Sequence, residues 1–240
     1  MDSRYSVPFC FAKNSHPIFL VFLTMPKTIL TLLLVLVSLS SFAQLSVGIR
    51  GGYTLSSYSY QPTASQRSLS LDGIGSPTFA FVVEYFNAKN AGVELNVQHI
   101  TLGFRQINDE NEVNQTELTY LKLPFLASFF AGRSGRFQIK VGPHLGYLLE
   151  AKDVTREFSG GNFPEMPTYG QPGDDPNKLM YGLTAGAGIS KLFGKSTLSG
   201  EARFSFDFTN PESQDRVFDV RSTNLEFTLA YLFRIKEMRK

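Results

Sequence analysis

From Gln44 onward the chain alternates apolar and polar residues, segment after segment. Between positions 137 and 150 the odd residues are Phe137, Ile139, Val141, Pro143, Leu145, Tyr147 and Leu149, while the even ones include Gln138, Lys140, Gly142, His144 and Gly146. A period of two separates the sets onto opposite faces of a strand, because successive Cβ atoms point to opposite sides of the pleat. Residues 198–208 repeat the pattern, with Phe204, Phe206 and Phe208 against Glu201, Arg203 and Asp207. Residues 225–234 set Leu225, Phe227, Leu229, Tyr231 and Phe233 against Glu226 and Thr228. In 181–190 the second face holds Gly182, Gly186 and Gly188, small residues that make room for large interior neighbours. Residues 45–55 and 79–85 follow the same rule.

Two stretches are irregular. Between Val93 and Phe104 the apolar phase starts odd (Val93, Leu95, Val97) and turns even (Ile100, Leu102, Phe104), which predicts a bulge near His99. Residues 117–131 carry Leu121, Leu123, Phe125 and Phe129 on one face with Pro124 among them; proline lacks a ladder donor, so a second irregularity is expected there. The connections between the eight candidate strands alternate long and short: 57–76, 87–90, 106–115, 132–135, 151–177, 194–195 and 209–223. This rhythm predicts an all-β fold, an eight-stranded antiparallel up-and-down transmembrane β-barrel with short periplasmic turns and long external loops.

Alternation alone does not say which face is inside. A soluble lipocalin-like barrel keeps its apolar face around a ligand, whereas a barrel in lipid turns it outward. The polar faces hold Arg50, Glu84, Glu94, Lys122, Lys140, His144, Glu201, Arg203 and Glu226. These are charges of both signs, able to pair in a lumen as buried charges must. On the apolar faces Tyr53, Tyr85, Phe104, Phe129, Phe137, Tyr147, Tyr181, Phe193, Phe208 and Phe233 fall near strand ends, where aromatic girdles of a membrane barrel are expected.

Export agrees with this reading. Met25-Pro-Lys27 is followed by an apolar run from Ile29 to Val37 and by Ser41-x-Ala43, the n-region, h-region and small-residue site of a secretory signal. We therefore take Met25 as the start, residues 1–24 as an upstream extension, cleavage after Ala43, and 44–240 as one barrel domain. Losing Arg4, Lys13 and Lys27 from 23 basic residues and Asp2 from 21 acidic ones leaves 20 of each. The basic balance of the whole chain is thus no sign of nucleic-acid binding. The single cysteine, Cys10, is lost with the leader.

The segment Leu118-Thr-Tyr-Leu-Lys-Leu-Pro-Phe-Leu-Ala-Ser-Phe-Phe130 and, after a glycine turn, Val141-Gly-Pro-His-Leu-Gly-Tyr-Leu-Leu149 are similar to the paired central strands of PorT-like outer-membrane β-barrel proteins of Bacteroidetes-type bacteria. The signal ending Phe42-Ala43-Gln44, the glycine-rich strand near Thr184 and the final aromatic strand also resemble that family. The resemblance implies an outer-membrane barrel over the whole mature chain, in a family with some members tied to protein secretion. It transfers no catalytic residue. Phe233 stands in for the terminal aromatic that barrel-assembly machinery recognises, seven residues from the end.

The mature chain has two histidines, His99 and His144, and no HExxH. A triad through His144 and Glu150, or His99 and Thr101, is the enzymatic alternative, a lipid-modifying activity; the secreted lipocalin-like barrel is the other. Asp174-Asp175 lies in a glycine- and proline-rich turn without a calcium-loop frame. The expected protein is non-enzymatic, without metal or cofactor. Its expected role is structural, surface-interaction or secretion-accessory, and its partners are outer-membrane lipid and the assembly machinery rather than nucleic acid.

Overall fold

A computed structural model of the chain describes residues 44–65, 69–158 and 167–236; the expected leader lies outside them. In chain order the strands are β1 (Gln44–Gln61), β2 (Leu69–Ser70), β3 (Asp72–Phe86), β4 (Ala91–Ile107), β5 (Val113–Gly132), β6 (Gly135–Arg156), β7 (Leu179–Phe193), β8 (Ser196–Asp207) and β9 (Asp219–Lys236). Each long strand pairs antiparallel with the next, and β1 closes the ring on β9 from Leu45 opposite Lys236 to Gln61 opposite Asp219. Closure leaves none of these eight strands as an edge. The two-residue β2 pairs only with Ser59 and Tyr60 of β1.

The faces divide as the alternation predicts, with the apolar set outside. Leu145 is 62% exposed and Leu229 67%, whereas Glu94 and Lys122 are wholly buried. Tyr53, Phe129, Phe137, Tyr147, Tyr181, Phe193, Phe208 and Phe233 are all about half exposed on the outer surface. A soluble barrel would show the reverse.

The three short turns share one end, and in the one between β7 and β8 Gly194 takes φ 60°, a left-handed conformation that favours glycine. At the other end the strands outrun the apolar stretches, so the long loops are shorter than their sequence suggested. The connection expected over 106–115 is reduced to 108–112. The outward residues of these extensions are mostly polar, among them Ser57, Arg105, Glu117 and Arg221, with Ile107 and Val154 the apolar exceptions. The wall therefore rises past the apolar band into water.

The bulge expected near His99 needs correction, whereas at Pro124 the ladder is interrupted, Leu123 and Pro124 being unpaired with β4 and Phe125 and Leu126 with β6. β4 keeps one register against β5 from Leu95 opposite Phe125, through His99 opposite Leu121, to Ile107 opposite Val113, so it has no bulge at His99. The slip lies instead in β3, between Gly73 and Phe79. Pro77 lacks an N–H there, and hydroxyls bridge the gap: Ser76 Oγ donates to the Thr101 carbonyl at 2.5 Å, Thr78 Oγ1 to His99 at 3.0 Å, and Ser56 Oγ to Gly103 at 2.7 Å. Pro124 does not shift the register, since Leu123 opposite Leu145 and Ala127 opposite Val141 belong to one alignment. β5 slips nearer the loops, at Gln115/Thr116 and Thr119/Tyr120.

Phe104 is a correction of another kind. It is 1% exposed and points inward with Ile100 and Leu102, so it belongs to no outer girdle. The faces of β4 never exchange; the interior itself changes from ionic to apolar along the strand.

Candidate functional site

The candidate site is the lumen, and it is layered. Going from the short turns toward the loops, β1 presents Arg50, Thr54 and Tyr58; β4 presents Glu94, Gln98 and Leu102; β6 presents Lys140, His144 and Leu148. Strand spacing stacks these into a lower ionic layer, a middle hydrogen-bonded layer and an upper apolar one, since every second residue faces the same way.

The lower layer gathers six of the sequence-selected residues. Arg50 donates both terminal nitrogens to Glu94, at 3.2 and 3.1 Å, and reaches Glu201 at 3.0 Å. Lys140 Nζ contacts Glu84 at 3.0 Å, Glu201 at 2.8 Å, and Glu94. Arg203 bonds Glu94 at 2.5 Å and Glu201 at 2.6 Å. Three cations thus face three carboxylates, and Asn96 donates to Glu94 at 2.8 Å while Gln138 donates to Glu201 at 2.9 Å. Buried ions are tolerated on these terms, paired and with lone pairs occupied. Gly186 and Gly188 supply the room: a Cβ on Gly186 would come within 2.9 Å of Arg203 Cγ, and one on Gly188 within 2.7 Å of Glu201 Cγ.

The middle layer holds the other three. Lys122 bonds Glu226 at 3.2 Å and Ser205 at 2.8 Å, and Gln98 donates to Glu226 at 2.7 Å. His144 lies between Asp207, 2.8 Å from Nε2, and Thr184, 2.9 Å from Nδ1; Thr184 in turn meets Ser205 at 2.8 Å. Asp207, Thr184 and Ser205 were not singled out from the sequence. All three sit on polar faces, and the only clue to Asp207 was its phase with Glu201 and Arg203. The acid suggested by spacing, Glu150, is exposed and does not approach His144, while His99 faces outward.

Above them Tyr58, Tyr60, Ile100, Leu102, Phe104, Leu118, Tyr120, Leu148 and Met180 form an apolar core inside the barrel. Tyr169, from the connection between β6 and β7, descends onto it: its ring is 6.1 Å from that of Phe104, edge to face. Burial pushes the Tyr169 hydroxyl well above the ordinary tyrosine range. The loop is clamped by Arg216, which bonds Asp174 at 2.8 Å and Glu212 at 2.9 Å. Although its partial burial acts the other way, Asp174 is held below the usual carboxylate range by the Gln171 N–H, Thr168 and Arg216. The aspartate of the glycine-proline turn is therefore engaged by the loops themselves.

An antiparallel ring with a lipid-facing apolar wall and a bore filled by its own side chains defines a membrane-spanning β-barrel protein. The chain belongs to the outer membrane protein beta-barrel domain family, whose profile matches residues 42–236, and it is a protein of the cell outer membrane. Among solved structures it is similar to the outer membrane protein OprG from Pseudomonas aeruginosa, with 11% identity, a TM-score of 0.51, and 82% of this chain and 98% of that one covered. Ail, the attachment invasion locus protein of Yersinia pestis, in complex with the heparin analogue sucrose octasulfate, is also similar, with 11% identity, a TM-score of 0.40, and 79% and 99% coverage. A search of curated proteins finds no match.

Proposed function

We propose that this is a non-enzymatic, non-conducting barrel of PorT-like type that anchors a surface-interaction or secretion-accessory role in the outer membrane. The observation that carries the reading is the filled lumen: along β1 each inward side chain at Ser46, Arg50, Thr54, Ser56, Tyr58 and Tyr60 is buried. An eight-stranded barrel has an interior of about the volume its own side chains occupy, so binding surfaces are left to the loops and rims. The test has two arms. Purified protein in planar bilayers should give no steady conductance, and deleting the gene should change the set of exported proteins; a stable open channel, or an unchanged exported set, would count against the reading.

One arrangement favours a second reading. Asp207, His144 and Thr184 form an acid–imidazole–hydroxyl chain of the kind that activates a nucleophile. All three are buried in the bore, however, and the Thr184 hydroxyl already meets Ser205. We assign the chain to lumen structure. His144→Ala should lower stability and leave the membrane lipid profile unchanged; loss of a modified lipid would reverse the assignment.

A further inference from the structure

The charges outside the lumen are sharply sorted between the two ends. At the loop end carboxylates predominate, among them Asp109, Glu110, Glu112, Asp175 and Asp215. The rim of short turns is the opposite. Lys89 stands in the turn between β3 and β4, Arg133 and Arg136 at the turn between β5 and β6, and Lys191 and Lys195 at the turn between β7 and β8. Arg234 and Lys236 at the end of β9 add to the same rim. The sequence has no acidic residue in 85–93, 127–149 or 186–200, which hold the three short turns and the strand segments leading to them, and none in 227–236, which Glu237 directly follows outside the described residues. On the strands flanking the turn between β3 and β4, Glu84 and Glu94 point inward and contact Lys140.

Two of these cations rest on aromatic rings, Lys191 on the lipid-facing wall and Arg136 at the mouth of the bore, where Phe130 packs edge to face on the inward Phe86. The Arg136 guanidinium lies 4.1 Å over the Phe130 ring and donates to the Arg133 carbonyl at 3.1 Å; the Lys191 ammonium lies 5.2 Å from the Phe193 ring centre. Immediately beyond them Phe129, Phe137, Phe193 and Phe233 are exposed on the outer surface. Aromatic residues in that position mark the boundary between hydrocarbon and headgroups, so the neighbouring cations stand at headgroup height.

We propose that this rim is a binding surface for the phosphates of anionic phospholipids in the leaflet beside the short turns. Basic clusters at a membrane boundary attract anionic lipid, and arginine and lysine give charge-assisted hydrogen bonds to phosphate oxygens. With no carboxylate in the three short turns, the surface discriminates by charge between phosphatidylglycerol and zwitterionic phosphatidylcholine. An acidic protein partner would need the same charge, but Lys191 lies against the outward ring of Phe193 in the aromatic girdle, and that favours lipid.

The test is native mass spectrometry of the full barrel released from micelles carrying equal amounts of phosphatidylglycerol and phosphatidylcholine. Wild type should retain phosphatidylglycerol several-fold over phosphatidylcholine, and added salt should shrink the preference. The variant Arg133→Gln/Arg136→Gln/Lys191→Gln/Lys195→Gln should lose it, while the loop-end control Arg105→Gln/Lys152→Gln/Arg156→Gln keeps it. The salt series on wild type needs no variant to fold. Equal retention of both lipids by wild type, or a preference that survives in the rim variant, would overturn the proposal. Equal retention together with rim-dependent binding of polyglutamate would also overturn it, in favour of an acidic polypeptide.

Discussion

Replacing Lys140 by methionine preserves a long flexible side chain and removes one charge from the most crowded part of the bore. Lys140 is 1% exposed and contacts Glu84, Glu94 and Glu201, so the substitution leaves three carboxylates facing two arginines. Stranding a buried charge in this way costs about 3–5 kcal/mol, because the abandoned ion keeps its desolvation penalty and loses its partner. The structure also says which second change should relieve it. Glu84 has Lys140 as its cation, whereas Glu94 and Glu201 keep Arg50 and Arg203. Lys140→Met/Glu84→Gln should therefore recover at least half of the loss, with a coupling energy of about 1–3 kcal/mol between the two sites. Unfolding by guanidinium in phospholipid vesicles, followed by circular dichroism because the chain has no tryptophan, measures both. A loss under about 1 kcal/mol, the range of solvated surface pairs, or strict additivity of the two changes, would refute the view that charge balance holds this layer.

Three more outcomes follow from the same geometry. Leu229, at the middle of the outward apolar row of β9, should lose about 2–4 kcal/mol as arginine, whereas Phe206→Arg, near the loop end and paired opposite Thr223, should lose only about 0–1 kcal/mol; equal losses in vesicle unfolding would contradict the depth assignment. Gly186→Val should cost about 1–3 kcal/mol by crowding Arg203, and Gly200→Val, whose Cβ approaches only Leu229 at 3.5 Å on the outer face, should be better tolerated in the same assay. Asp174 has a depressed folded pKa, so its contribution to the loop clamp is present above its unfolded value of 3.8 and is lost as pH falls through the lower folded value. Hydrogen exchange at residues 168–178 should accelerate over that acidic window in wild type and show no such step in Asp174→Asn.

Much of the fold was legible because a strand with lipid on one side and an ionic bore on the other cannot help alternating. Arg50, Glu94, Lys140, Glu201 and Arg203 could be picked out by phase alone, since a charge on the strand's second face has nowhere else to go. Phe104 could not. Its neighbours Ile100 and Leu102 share the phase of Glu94 and Gln98, and the change of composition looked like a change of side. The same interior switch occurs on β1 at Tyr58 and Tyr60 and on β6 at Leu148, all even-numbered, and that concordance was the signal available. Asp207, Thr184 and Ser205 were hidden for another reason. A polar residue facing a bore and one facing water look alike in one strand, and only the register of β6, β7 and β8 brings them to His144.

An even number of spanning strands returns the polypeptide to the side from which it set out. Leu45 stands opposite Lys236, so β1 begins where β9 stops. A tag or module fused at either end of this barrel would share one compartment with its counterpart, and a short linker could join the two. Circular permutation is then open to it: a cut between β1 and β2, with the old ends spliced, would leave the eight-strand ladder intact.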